Sequence, residues 1–243
     1  MPVISASSSG NDGLMYIINQ SSWANARDAT SASTLLVGSQ RTTNFTQVVR
    51  SAGRGGGNVY SVYRSFLFFD TSGITATVAS AELSIRGYSA NDGSVIAVKS
   101  TAFGGDGGTA LAASDFNAIS GWSAGSSLAG SATVYGAQKT TTNWTTSGGT
   151  DFTATSDLLT DMKNNDVVII CFMDYTNDYL NVALTSNGYL NIGAFYAEYS
   201  GVSRDPKIVY TTGYGNTVNG VAGANIKRIK GQASGLIKRV NGV

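Results

Sequence analysis

Val78-Ala79-Ser80-Ala81-Glu82-Leu83-Ser84-Ile85-Arg86-Gly87-Tyr88 is the stretch on which the fold turns. Ala79, Ala81, Leu83, Ile85 and Gly87 alternate with Ser80, Glu82, Ser84, Arg86 and Tyr88. Side chains on a strand point to opposite faces with period two, so one apolar row faces a core and one polar row faces water. A helix would place that apolar row on every side at once.

The same reading extends outward. Residues 14–19, 34–38, 59–70, 95–99, 167–174, 181–185, 189–199 and 207–211 read as further strands, rich in β-branched and aromatic side chains. The run Val167-Val168-Ile169-Ile170-Cys171-Phe172 is apolar at consecutive positions, which predicts a strand covered on both faces. Glycine-rich segments such as Gly55-Gly56-Gly57-Asn58 and Gly104-Gly105-Asp106-Gly107-Gly108 punctuate the strands. Two short helices are predicted, at residues 115–119 after Ser114 and at 157–164 after Ser156, each serine serving as N-cap. Short strands separated by turns define an all-β protein, a jelly-roll β-sandwich spanning residues 1–213.

Composition narrows the chemistry. Charged residues make up 13% of the chain, well below the usual quarter, and hydrophobic ones 42%. There is no histidine, which removes the commonest general base and metal ligand and every nucleophile–histidine device. Cys171 is the one cysteine, so no intrachain disulfide forms, and it reads as a small buried hydrophobe. No run of about 18 apolar residues predicts a membrane span. Met1-Pro2-Val3-Ile4-Ser5 lacks a basic segment followed by a long apolar core, so a secretory route is not expected.

Charge is distributed unevenly. The last 30 residues, 214–243, contain Lys227, Arg228, Lys230, Lys238 and Arg239 and no acid. The 15 acids and the other 11 bases therefore lie earlier and leave that part with net charge −4. This basic tail is built on an 11-residue repeat. Val218-Asn219-Gly220-Val221-Ala222-Gly223-Ala224-Asn225-Ile226-Lys227-Arg228 aligns without a gap on Ile229-Lys230-Gly231-Gln232-Ala233-Ser234-Gly235-Leu236-Ile237-Lys238-Arg239, and a third copy begins at Val240. Its glycines argue against a helix. Extended pieces at 225–229 and 236–240, separated by Asn-Gly and Lys-Gly turns, fit better. So short a segment buries no core of its own and needs a partner surface.

In the body, Arg64-Ser65-Phe66-Leu67-Phe68-Phe69-Asp70-Thr71-Ser72-Gly73-Ile74 resembles an R-x-x-L-x-F-D-x-S-x-I strand and turn. Ala79-Ser80-Ala81-Glu82-Leu83-Ser84-Ile85 resembles the I-x-S-A-x-L-x-L strand that follows it. Ala197-Glu198-Tyr199-Ser200 with Arg204-Asp205-Pro206-Lys207-Ile208-Val209-Tyr210 resembles the closing strand. These are features of DNRLRE-type jelly rolls, which are similar to carbohydrate-binding modules and occur on secreted bacterial proteins and phage structural proteins. The family's W-x-x-x-x-V-T-W-N stretch is not reproduced, although Trp122 and Trp144 lie in its region. The tail resembles the N-G-V-x-x-x-N-I-x-K-x-N-G-V endings of phage virion proteins.

These resemblances imply a bacteriophage virion structural protein, either a capsid decoration or head-fibre subunit or part of a tail appendage. The tail would attach to other virion proteins or sister subunits through Ile226, Lys227, Arg228, Ile237, Lys238 and Arg239. The chain would be located on the virion surface and would not be an enzyme. The alternative is a freestanding carbohydrate-binding module of a bacterial surface or secreted protein. Sugar binding places aromatic rings on an exposed face, and Trp122, Tyr135 and Trp144 are the candidates, with host-surface glycans as ligands. Asp174, Asn177 and Asp178 offer hard oxygens to a structural calcium ion, as does Asp106 in its glycine loop, with Asx-turn chemistry as the competing reading. A small hydrolase would use Asp174 and Asp178 as its carboxylate pair. No other cofactor is expected. Nucleic acid is not an expected partner, because five charges and the single ring of Tyr214 make a weak footprint.

Overall fold

The structure, a computed structural model, describes residues 1–6, 12–37, 44–196, 205–213, 228–229 and 232–233. The strands of the body are β1 (Val3–Ser5), β2 (Asp12–Gln20), β3 (Thr34–Val37), β4 (Asn44–Ala52), β5 (Asn58–Asp70), β6 (Val78–Asn91), β7 (Ser94–Lys99), β8 (Val134–Thr140), β9 (Gly149–Thr153), β10 (Val167–Met173), β11 (Gly188–Ala194) and β12 (Lys207–Thr212). They form one continuous antiparallel hydrogen-bonded system that folds over on itself into an all-β sandwich. Two short helices, α1 (Trp23–Arg27) and α2 (Ser156–Asn164), accompany them.

β6 is the axis of one layer. It pairs with β12 along one edge and β9 along the other, and further on with β11. Its alternation holds from Ala81 onward, with Ala81, Leu83, Ile85 and Gly87 buried. At its start Val78 is buried and Ala79 exposed, the reverse of the expected phase. The register slips there, because Thr211 pairs with Ser80 while Thr212 pairs with Val78. One extra residue on β6 makes a bulge, and a bulge inverts the inward row on its far side.

β5 is the axis of the other layer. A strand has only two edges, and β2 overlaps both β4 (at Tyr60–Tyr63) and β10 (at Ser65–Leu67) along it. β4 and β10 therefore lie end to end on the edge opposite β2. They meet at Ser65, whose hydroxyl donates to the Phe45 carbonyl and is bonded to the Tyr196 hydroxyl.

The first core lies between the layers. Leu83 and Ile85 of β6, Phe152 of β9 and Ile208 of β12 meet Phe45, Leu67, Phe69, Ile170 and Phe172 from the other side. The second core lies on the opposite face of the β5 layer, where Phe66, Phe68, Val98, Ile169 and Cys171 are covered by α1 and by residues 100–133 and 175–182. β10 is thus covered on both faces, which is why six consecutive residues, Val168–Met173, are buried. Burying each large apolar side chain of this kind stabilises by about 1.5–3 kcal/mol. Cys171 is fully buried, and burial pushes its thiol far above the ordinary range.

Several expectations change. Residues 181–185 form no strand, because Asn181 takes a left-handed φ of 57° as the chain leaves a one-turn π-helix at Tyr175–Tyr179. α2 is capped by Thr155, not Ser156, and the Thr155 hydroxyl accepts the Leu158 N–H. The first helix is a 3₁₀ turn, Ala113–Asn117, held by Asp115 accepting the Ala112 N–H rather than by a Ser114 cap. β4, β8 and β9 were not legible, since their polar and small residues dilute the alternation. Gly38 and residues 197–200, 204, 214–227, 230–231 and 234–243 of the predicted segments lie outside the described residues.

Gly87 stands at the corner where β6 leaves β9. A methyl group there would lie 2.0 Å from the Thr145 carbonyl oxygen and 2.7 Å from Nε1 of Trp144. Backbone is in the way, so Gly87→Ala is expected to cost about 1–3 kcal/mol, as overpacking does. A lowered urea midpoint at constant slope would report it, and an unchanged midpoint would contradict it.

Candidate functional site

Arg64 is the one charged residue in the central part of β5, and it is fully buried. A charge in a strand covered on both faces must find partners. Nε and Nη2 donate to Oδ2 and Oδ1 of Asp178, both at 2.7 Å. Nη1 donates to the Phe116 carbonyl and Nη2 also to that of Arg27, both at 2.8 Å. The rings of Phe116 and Trp122 lie over the guanidinium at 4.2 and 4.4 Å. Arg27, equally buried, donates from Nε to the Asp178 carbonyl at 2.8 Å, pairs with Asp28 at 2.5 Å and stacks on Trp122 at 4.5 Å. This bidentate, ring-stacked geometry is what arginine provides and lysine does not. It pins α1, residues 116–122 and the Tyr175–Tyr179 turn onto the β5 layer.

The cluster accounts for several candidates. Trp122 is half-buried, and its face is covered by two guanidiniums rather than open to a sugar. Asp174 and Asp178 are 2% and 0% exposed, so neither carboxylate of the hydrolase pair opens to a substrate. Both oxygens of Asp178 face Arg64, where a calcium ion would meet a cation. Asp174 accepts the Asn177 N–H at 2.7 Å through Oδ1, and the Ser94 N–H and hydroxyl at 3.1 and 3.0 Å through Oδ2. Burial pushes its carboxyl up, and these hydrogen bonds only partly oppose that. Asn177 donates to the Val182 carbonyl at 2.7 Å. The three residues do come together, as a capped turn rather than a ligand set. Among the described residues no group of three or more acids, cysteines or histidines is placed to hold a metal. Asp106 accepts the Gly108 N–H at 2.8 Å, the turn chemistry that competed with calcium.

Tyr135 and Trp144 are also displaced from their expected role. They are 1% and 6% exposed and belong to the core between the layers. Trp144 packs edge-on against Phe152 and donates to the Gly193 carbonyl at 3.3 Å. A ring without an open face offers a sugar no platform. The three rings are not one surface either, since Trp122 packs against the second core and the other two belong to the first.

An open site of a different kind lies where the sequence did not point. A groove of about 650 Å³ runs beside the end of α2 and the start of β10. Lys99 and Tyr135 line it, and both bind Asp161: Lys99 Nζ donates to Oδ2 at 2.9 Å and the Tyr135 hydroxyl at 2.5 Å. Asn165 donates to Oδ1 at 3.0 Å. Burial would raise the Asp161 carboxyl, but hydrogen bonds from Tyr135, Lys99 and Asn165 outweigh it and hold the carboxyl below the usual range. Burial, followed by the Asp161 bond, keeps the Tyr135 hydroxyl protonated well beyond ordinary tyrosines. Lys99 and Asp161 are 62 positions apart, a pairing no local motif announces. Arg64, by contrast, carried a signal, as a lone charge in an apolar strand.

Of the tail, Arg228–Ile229 (β13) pairs antiparallel with Gln232–Ala233 (β14), across the junction of two repeat copies. Lys230 and Gly231 separate them in sequence. Among the proposed attachment residues only Arg228 falls in a described strand. Ile226, Lys227, Ile237, Lys238 and Arg239 lie outside the described residues.

No protein-family model matches the chain, and no curated protein matches it. Among the described residues no helix is long and apolar enough to cross a membrane.

Proposed function

We propose that the chain is a bacteriophage virion structural protein, a capsid decoration, head-fibre or tail-appendage subunit, that displays the sandwich and is fastened through its C-terminal repeat. The observation that carries this reading is how the body meets the tail. β12 is hydrogen-bonded on one edge to β6 and on the other to β1. Gly213, immediately after it, donates to the Thr77 carbonyl at 2.9 Å, and the basic repeat region begins at the next residue. The tail therefore continues from a strand that two ladders hold in the body.

The inward use of Asp174, Asp178, Tyr135 and Trp144 adds support, because residue types that could carry chemistry serve packing instead. The likeness of the body to DNRLRE-type jelly rolls, and of the tail to virion-protein endings, is consistent with the same reading. No observation at Trp122, Tyr135 or Trp144 favours a freestanding carbohydrate-binding module. Mass spectrometry of purified particles is expected to find the chain at a copy number fitting a structural subunit. Its absence from particles would overturn the proposal.

A further inference from the structure

We propose that the groove beside α2 and β10 is a docking site for the chain's own basic tail, with Lys227 and Arg228 meeting Asp106 and Asp166. The contact belongs to the free chain. It goes beyond the structural role and holds or fails whatever the tail later attaches to.

The tail leaves the body beside this groove. Gly213 donates to the Thr77 carbonyl at 2.9 Å. Thr77 lines a hollow of about 190 Å³ together with Leu159, Thr160, Lys163 and Asn164 of α2. Asn164 also lines the groove, so the two openings share a wall at the end of the helix. The loop that carries Thr77 is tied to the same rim. Thr71 donates its N–H to the Asp166 carbonyl at 2.8 Å and its hydroxyl to the Asn165 carbonyl at 2.7 Å. Lys227, the first basic residue of the tail, stands 14 positions beyond Gly213. That length of chain reaches up to about 46 Å, whereas the helix from Leu159 to Asn164 rises only about 8 Å.

Charge selects the occupant. Residues 1–213 hold 15 acids and 11 bases, and the tail holds five bases and no acid. In the groove Lys99 is matched by Asp161 at 2.9 Å, which leaves Asp106 and Asp166 as the unmatched charges of the lining. Both are exposed, and neither forms an ion pair with a described residue. Asp106 engages Gly108 through Oδ1 and presents Oδ2. Lys163 lines the hollow, but the segment that passes it, residues 214–226, is uncharged. Exposed ion pairs contribute roughly 0–1 kcal/mol each, too little to hold a separate peptide. Tethering offsets this, because it supplies the segment at an effective concentration on the order of 1 mM. At ordinary protein concentrations the chain's own tail therefore outcompetes that of a second copy.

Zero-length carbodiimide cross-linking of the full chain, as an equal mixture of isotope-labelled and unlabelled protein, tests this by peptide mass spectrometry. Cross-links from Asp106 or Asp166 to Lys227, Lys230 or Lys238 are expected within single chains. Release of the tail is read from the rate of trypsin cutting at Lys227 and Arg228. Asp106→Asn with Asp166→Asn should raise that rate about threefold at low salt, as expected on freeing a segment docked about two-thirds of the time. The melting temperature should not change. In about 0.5 M salt the wild type and this variant should be cut alike. Asp151→Asn, at an exposed acid on β9, should change nothing. The proposal is overturned if the cross-links are absent or join only different chains, or if the double variant is cut at the wild-type rate. None of these outcomes bears on whether the chain is found in particles, so the two readings fail separately.

Discussion

Arg64→Ala is expected to cost the sandwich about 3–5 kcal/mol, enough to unfold a domain of ordinary stability. Four of the five N–H donors of Arg64 have partners within 2.8 Å, and all of them are internal. Without it Asp178 stays buried, with Arg27 at 3.6 Å as its remaining cation, and two backbone carbonyls lose their donor. The cost comes from the groups left behind, since an unpaired buried charge is far more expensive than a missing pair. Two further variants test that cause. Arg64→Lys should recover little, because an ammonium cannot fork onto both Asp178 oxygens and reach the Phe116 and Arg27 carbonyls. Arg64→Met combined with Asp178→Leu should cost clearly less than the two single changes added together. Urea denaturation of the wild type and these variants, with the two single changes of the pair, measures this. An Arg64→Ala midpoint close to wild type, or strictly additive effects, would show that the cluster is not what holds the loop layer on β5.

Deletion of residues 214–243 is expected to lower incorporation into particles at least tenfold, about 1.4 kcal/mol of attachment, while the sandwich melts as before. The body's last described hydrogen bond is that of Gly213 to Thr77, so the cut leaves both ladders of β12 intact. The described part of the tail, in contrast, is small. A pair of two-residue strands such as β13 and β14 is far below what an isolated hairpin needs in water, so on the proposed reading a partner surface supplies the rest. Reversing Lys227, Arg228, Lys238 and Arg239 to glutamate should weaken attachment in the same direction. Salt should also weaken the wild-type attachment, because exposed charges are screened beyond about 10 Å at 0.1 M. A truncated chain that incorporates normally would end the anchoring role and leave the sandwich as the attaching part.

How much was legible depended on the range of the interaction. Leu83 and Ile85 announced an inward row, and Val168 to Phe172 announced a strand covered on both faces, because burial is written into the period of the apolar residues. The tail repeat was legible for the same reason: similarity at a fixed spacing needs no fold to be seen. The bulge opposite Thr211 and Thr212 was not legible, since it depends on which strand lies beside β6. Nor was the fate of the aromatic residues. Trp144 and Tyr135 look like surface rings in loop-rich sequence, yet the folding-over of the sheet closes both of them inside.

The amino-acid sequence by itself determined the all-β class, the two covered layers and the basic repeat at the end, because each is a local or periodic property of the chain. The tertiary structure alone decided that Asp178 neutralises Arg64 across 114 positions, that Trp122 covers two guanidiniums, and that Lys99, Asp106, Asn164 and Asp166 share a groove. A polar side chain carries its charge and hydrogen-bonding capacity in the sequence, but its partner is whatever the fold brings within about 3 Å. Only that proximity separates a side chain held by the core from one left open to a ligand.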